Sequence, residues 1–161
     1  MEPTHEMHLE LFTDYFQFYI EDEERPGDLG EDWTEEAVSM LLATTSGIVG
    51  VGTVRNMDAP VRVKLFGAEP PIDELDDVSQ LNECDLTIMS GKAVIAGCTD
   101  YYPDAKRIEL ANGIYRVRIY YRNLDKISAD GLDGEDSYEL HLWLTNKEQP
   151  TKVLKSRSIY G

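Results

Sequence analysis

The sequence is poor in several things at once, and each shortage removes a class of protein. It has two cysteines, Cys84 and Cys98, so at most one disulfide forms and a disulfide scaffold is excluded. No apolar run approaches the roughly 18 residues that a membrane helix needs. Residues 1–10 lack the basic start and apolar stretch of a secretion signal, which makes the cytoplasm the expected location. There is no Walker lysine, no G-x-S-x-G elbow and no H-E-x-x-H pair. Gly47, Gly50 and Gly52 are spaced wrongly for G-x-G-x-x-G and follow a helical segment rather than opening one; they read as glycines that permit close packing. No cofactor is expected, and the chain does not read as an enzyme. Bases are also scarce: 15 Lys and Arg stand against 31 Asp and Glu, a net charge of −16. Such a chain repels phosphate backbones and anionic lipid heads, so direct nucleic-acid or membrane-surface binding is disfavoured.

What is present is 161 residues, 42% of them apolar, enough for one sizeable core. Residues 1–161 read as a single domain, with 1–8 and 157–161 as mobile termini. The acidity is uneven. Residues 1–50 hold 13 acids and one base, Arg25, for a net of −12; residues 51–100 carry −5 and residues 101–161 carry +1. The densest run is Glu21-Asp22-Glu23-Glu24, followed by Asp28, Glu31, Asp32, Glu35 and Glu36. Asp73, Glu74, Asp76 and Asp77 form a second knot, and Asp130, Asp133, Glu135 and Asp136 a third. Charge of one sign held in one stretch becomes a directed field if that stretch folds onto one face.

Apolar periodicity of two dominates. Leu9 and Leu11 alternate with polar neighbours, and Phe16, Phe18 and Ile20 do so in a shifted phase, which places a break near Thr13-Asp14. Val61, Val63 and Leu65, preceded by Pro60 as an end or edge signal, make a strand, as do Cys84, Leu86 and Ile88. Ala93 to Cys98 is apolar on both faces, the mark of a covered strand. Tyr115 to Tyr121 and Tyr138 to Leu144 are the strongest alternating runs, with a hairpin turn expected at Asn112-Gly113. Lys152 to Ser156 reads as an edge strand or a frayed tail. One helix stands out over about residues 33–43, with Asp32 as cap, Glu35 as its reciprocal partner, and Trp33, Ala37 and Leu41 on one stripe. Many short strands and one helix, without βα alternation, predict a mainly β fold: an antiparallel two-layer β-sandwich with the helix as cover.

Four constellations bear on chemistry. Cys84 and Cys98 flank the turn Ser90-Gly91; one hairpin register sets them opposite each other and another separates them, and buried reduced thiols are the default. Cys98, His141 and Asp100 are residue types for a thiol nucleophile with its base. Asp130, Asp133 and Asp136 have the composition of a hard-cation loop but not the EF-hand spacing, so they are weak metal candidates. The stretch Ala96 to Ala105 leaves a covered strand and delivers Asp100, Tyr101, Tyr102 and Asp104 to a loop, residue types suited to a protein contact.

The order Tyr15-Phe16-Gln17-Phe18, Asp32-Trp33-Thr34, Ala37, Gly47-Ile48-Val49, Thr53, Val61-x-Val63, Leu110 and Gly113-x-Tyr115 resembles the competence protein J family, whose founding activity is inhibition of a DNA-entry nuclease. The segment Ala96 to Ala105, with Asp125, Asp130 to Gly134 and Trp143, is similar to a group of uncharacterised bacterial proteins. The long loop from Asn123 to Ser137 and the tail depart from the competence pattern.

The resemblance implies an inhibitor that binds or sequesters a basic protein partner, a nuclease or toxin. The physics agrees in kind: carboxylates can stand where phosphates would sit, and alternate strand residues lie about 6.6 Å apart, the spacing of Glu83 and Asp85. The expected partner-binding residues are Glu21, Asp22, Glu23, Glu24, Glu31, Asp32, Glu83, Asp85, Asp100, Tyr101 and Asp104. The alternative is a β-sandwich module that takes a small ligand or Ca2+ through the loops near Asp100 and Asp130–Asp136.

Overall fold

A computed structural model describes residues 1–24 and 29–157. Arg25 and Asp28, which belong to the early charge run, lie outside the described residues, as do residues 158–161 of the tail. Among the described residues the strands are β1 (His5–Phe12), β2 (Gln17–Asp22), β3 (Leu42–Thr45), β4 (Ile48–Gly52), β5 (Asp58–Phe66), β6 (Val78–Ile88), β7 (Lys92–Gly97), β8 (Lys106–Glu109), β9 (Gly113–Arg122), β10 (Ser137–Leu144) and β11 (Lys152–Lys155), with one α-helix, α1 (Glu35–Met40). Short 3-10 turns occupy Asp14–Phe16 and Tyr102–Asp104.

The strands form two sheets. One has the order β1-β5-β10-β9-β6-β11 and the other β3-β4-β2-β7-β8. Period-2 alternation supplies the space between them. Val61 and Val63, Leu140 and Leu142, Val117 and Ile119, and Cys84 and Leu86 point inward from the first sheet. Phe18, Ile20, Val49, Val51 and Ile95 meet them from the second. The fold is the mainly β sandwich read from the sequence. Its pairing is antiparallel except that β10 runs parallel to β5.

Several local expectations change. The helix is shorter than 33–43: Thr34, not Asp32, caps it, its hydroxyl accepting from the Ala37 N–H at 3.2 Å. Leu41 takes φ +60° and turns the chain, so Leu42 and Ala43 pair with Val51 and Gly50 in a β3–β4 hairpin. Neither register considered for a β6–β7 hairpin exists, because β6 pairs with β9 and β11 while β7 pairs with β2 and β8. The Asn112-Gly113 step likewise carries the chain from one sheet to the other rather than closing a hairpin. Pro60 does not end or edge a strand: β5 lies between β1 and β10, and Pro60 falls one residue outside the β10 register. Residues 5–8, read as part of a free terminus, are paired with Leu65 to Arg62 of β5.

The outer faces are covered, and this positions everything that follows. Over β3 and β4, Leu29, Trp33 and Ala37 pack on Ala43 and Ile48. Gly50 makes room for them, since a Cβ there would meet Leu29 and Trp33. Over the other sheet, residues 67–77 form a roof: Arg118 donates to the Pro70 carbonyl at 2.9 Å, and the Asp73 N–H donates to the Tyr120 hydroxyl at 3.0 Å. None of the described helices is long and apolar enough to cross a membrane.

Candidate functional site

The acidic residues singled out from sequence divide into two groups. Glu83 and Asp85 are held inside the roofed face. Arg118 Nε lies 2.8 Å and Arg116 Nε 3.3 Å from the Glu83 carboxylate, and Arg116 also reaches Asp85 at 3.0 Å. Asp85 further accepts the Gln149 N–H at 2.7 Å. Arg118 is itself stacked on Trp143, 4.8 Å from the ring centroid. Charges compensated in this way project little field outward. Their strand spacing suits a phosphate mimic, but their surroundings do not.

Glu21 and Asp22 are also buried. Asp22 accepts from the Ser90 N–H and hydroxyl and so anchors the β6–β7 turn. Glu23 is paired with Arg107 at 2.5 Å, and its carbonyl accepts the Tyr102 hydroxyl at 3.0 Å. Arg107 in turn lies 5.4 Å over the Tyr102 ring. Burial raises the Tyr102 phenol pKa above its ordinary value, and the neighbouring Glu21, Glu23 and Asp22 charges raise it further. These contacts dock the loop carrying Asp100, Tyr101 and Asp104 beside the end of β2. Asp100 caps that loop by accepting the Gly97 N–H at 2.7 Å.

The second group faces outward. Glu24, Glu31, Asp100, Tyr101 and Asp104 are exposed, as are Glu35 and Glu36 on α1, and Asp32 is half-exposed. Among the described residues no Lys, Arg or His lies within ion-pair distance of these carboxylates. Part of the uncompensated charge of the early chain therefore sits around the loop before α1, on α1 and at the end of β2, with the Asp100–Asp104 loop adjoining it, while the exposed Glu2 and Glu10 lie before and on β1 of the other sheet.

The remaining chemical candidates come apart. Cys84 is buried in the core, and burial pushes its thiol up to about 12. Cys98 is exposed at the end of β7. His141 lies under the roof on the outer face of the other sheet, bonded to Glu139 at 2.6 Å, so Cys98 and His141 belong to opposite sides of the sandwich. The Asp130 carboxylate accepts from the Ser128 hydroxyl and the Leu132 N–H, Asp133 accepts the Gly134 N–H, and Asp136 is engaged by Arg55 and Tyr138. Each of the three has local work, and they do not converge.

Two features escaped the sequence. Asp73, Glu139 and His141 offer donor atoms within 4.8 Å of one another. Lys64 lies 3.5 Å from Glu139 and Arg122 lies 3.4 Å from Asp73, so the group is an ion-pair network with its own cations. The second is a groove of about 510 Å³ lined by Tyr15, Phe16, Trp33, Val38 and Leu41 over Gly52 to Val54, with Gln17 and Arg157 also in the lining. The phase break between Leu11 and Phe16 was its one sequence signal.

No protein-family model matches the chain, and no curated protein matches it. Two solved structures share its fold. ComJ from Bacillus subtilis, the inhibitor of the DNA-degrading activity of NucA, is 17% identical, with a TM-score of 0.62 over 89% of this chain and 98% of its own. The product of crocagin biosynthetic gene J is 15% identical, with a TM-score of 0.54 over 86% of this chain and 95% of its own. The chain has a ComJ-like fold.

Proposed function

We propose that the chain is an inhibitor that binds a basic protein partner, a nuclease or a toxin of nuclease type, through its outward acidic surface, and that it carries out no chemistry of its own. The observation that carries this reading is the coincidence of a ComJ-like fold across most of the chain with carboxylates at Glu24, Glu31, Asp32, Asp100 and Asp104 that, among the described residues, have no basic partner within ion-pair distance. Nucleases hold DNA in basic grooves. A surface of uncompensated carboxylates accelerates encounter with such a groove and competes with phosphate for it. Tyr101, 71% exposed, supplies the aromatic component that interfaces favour. Glu83, Asp85 and Asp22 hold the scaffold together in this reading and do not touch the partner. Neither nucleic acid nor membrane is a direct ligand.

The test is a DNA-degradation assay with the nucleases encoded in the same genome. The chain should inhibit one of them at near-stoichiometric ratio, with affinity falling as salt rises from 50 to 500 mM. Glu31→Lys with Asp32→Lys should slow association by about ten-fold or more. Absence of inhibition across that set, or inhibition indifferent to both salt and charge reversal, overturns the reading.

A further inference from the structure

Arg157 stands apart from the other arginines. Among the described residues, Arg55, Arg107, Arg116, Arg118 and Arg122 are buried or half-buried, and each is paired with a carboxylate. Arg62 is exposed to water. Arg157 is half-buried, yet among the described residues no carboxylate lies within ion-pair distance of it. This happens in a chain with 31 acids and 15 bases. The Arg157 Nε is buried and donates to no acceptor. Buried donors are almost always satisfied, so one left open calls for an explanation.

The surroundings place the guanidinium. The Arg157 N–H donates to Gln80 Oε1 at 2.9 Å, which fixes the chain beside β6. Burial raises the Tyr121 phenol pKa, and the Asn82 hydrogen bond and the Arg157 charge act against it. The Tyr121 hydroxyl donates to the Leu41 carbonyl at 2.6 Å, and Leu41 is a wall of the groove over Gly52 to Val54. The cation therefore stands at the Leu41 end of that groove, whose lining holds no carboxylate. Arg157 also borders the hollow of Asp76, Asp77 and Asp125, but none of them pairs with it. The remaining groove lining is largely aromatic and apolar. Trp33 Nε1 in it is a second buried donor without a partner. Tyr15 and Phe16 take their places at φ +59°, a region that bulky L-residues avoid, and such strain gathers at ligand sites.

We propose that this groove binds a small organic acid with an aromatic body, its carboxylate on the Arg157 guanidinium and its rings among Tyr15, Phe16, Trp33 and Val38. The proposal does not depend on the inhibitor reading. The planar fork of an arginine matches a carboxylate. A basic ligand is repelled, and a neutral one takes water from the guanidinium without giving it an anion. The volume of about 510 Å³ is that of a small-molecule site. A peptide main chain fits less well, because the N–H groups of the floor are spent: Gly52 donates to the Leu41 carbonyl, Thr53 to the Phe16 carbonyl and Val54 to the Tyr138 hydroxyl.

The experiment is calorimetric titration of the full chain with diphenylacetate and with its uncharged counterpart, diphenylacetamide. The acid should bind with a Kd of about 100 μM or tighter. The amide should bind about ten-fold more weakly or worse, the scale of one hydrogen bond to a charged group. Arg157→Gln should bring the acid down to the affinity of the amide and leave the amide unchanged. Val38→Asp, which sets a carboxylate into the groove wall from an exposed position on α1, should weaken the acid at least as much. Arg62→Gln, on β5, should change neither ligand. Equal affinity for acid and amide, or no binding of the acid at about 1 mM, overturns the proposal. So does a preference for the acid that survives Arg157→Gln, or one that Arg62→Gln removes equally. None of these results alters the DNA-degradation assay, which tests the inhibitor reading by itself.

Discussion

Arg55 and Asp136, 81 residues apart, form a buried ion pair in which both carboxylate oxygens are used. Arg55 Nε and Nη2 donate to Asp136 Oδ1 at 2.9 and 2.5 Å, and the Tyr138 hydroxyl donates to Oδ2 at 2.7 Å. Arg55 also donates to the carbonyls of Asp58 and Gly134. One guanidinium thus binds the β4–β5 connection to the long loop that precedes β10. The Tyr138 hydroxyl pKa is raised, first by burial and then by the Asp136 charge beside it.

Asp136→Ala would leave that guanidinium buried without its anion, which costs about 3–5 kcal/mol. Urea denaturation should show this as a lower midpoint with an unchanged slope. Replacing both partners by apolar residues, as in Arg55→Met with Asp136→Leu, should recover part of the loss because no charge is then stranded. A loss under about 1 kcal/mol for Asp136→Ala would mean that the pair contributes little.

Gly97 closes β7 where the Phe12 carbonyl crosses it. A Cβ at residue 97 would fall well inside contact distance of that oxygen, which is backbone and has no rotamer to yield. Gly97→Ala should therefore destabilise by about 2 kcal/mol or more, although its φ is not in the glycine region. It should also disturb Asp100, which accepts the Gly97 N–H. Thermal melting of Gly97→Ala beside Ala96→Gly separates this clash from a general weakening of β7.

The two thiols should react in sequence. Cys98 is exposed and Cys84 is buried with its pKa pushed to about 12, and the thiolate is the reactive species. Titration of the native protein with a disulfide reagent should release one equivalent quickly and the second only at the rate of unfolding. Cys98→Ser should abolish the fast phase without altering inhibition.

The sandwich was legible because alternation survives translation into three dimensions: Val61 and Val63, Val117 and Ile119, and Leu140 and Leu142 all face the core as their spacing predicts. The connections were not. Ser90-Gly91 and Asn112-Gly113 carry hairpin chemistry yet pass between sheets, since a turn residue fixes a local bend and not which strand lies beyond it. Arg116 and Arg118 occupy the polar phase of β9, yet they are 1% and 2% accessible. Arg118 is held by the Pro70 carbonyl of the roof and Arg116 by the carbonyls of Gln149 and Pro150, distant segments that alternation on β9 cannot report. Glu83 and Asp85 are compensated by Arg116 and Arg118 on the neighbouring strand, whereas Glu31 and Asp32 have no cation within ion-pair distance among the described residues. The charge run near α1 was visible as composition. Its escape from compensation depends on where ten late bases fold, a tertiary property.

Under the same roof, Glu139 should make the protein acid-sensitive in a definite window. Burial acts to raise its pKa, but the His141 hydrogen bond at 2.6 Å and the charges of His141, Lys64 and Arg122 outweigh it and bring the carboxyl from 4.5 to about 2. Phe66 and Tyr120 close on the imidazole at 5.0 and 4.8 Å between ring centroids, and Asp73 faces the same cluster. Because the folded pKa is the lower one, the unfolded chain binds the extra proton between pH 4.5 and 2. The stabilisation is complete above pH 4.5 and disappears as the pH falls towards 2. Glu139→Gln should be less stable than the parent at pH 7 by about 1.5–3 kcal/mol, the scale of a hydrogen bond to a charged group. The gap between the two proteins should close as the pH falls through that window. Asp130, whose pKa is lowered by Ser128 and the Leu132 N–H, titrates in both proteins and cancels in the difference, whereas Glu6 shares Lys64 with Glu139 and is coupled to it. Urea midpoints at pH 7, 4.5, 3 and 2 measure the convergence; parallel curves would show that the Glu139 charge contributes nothing to the folded state.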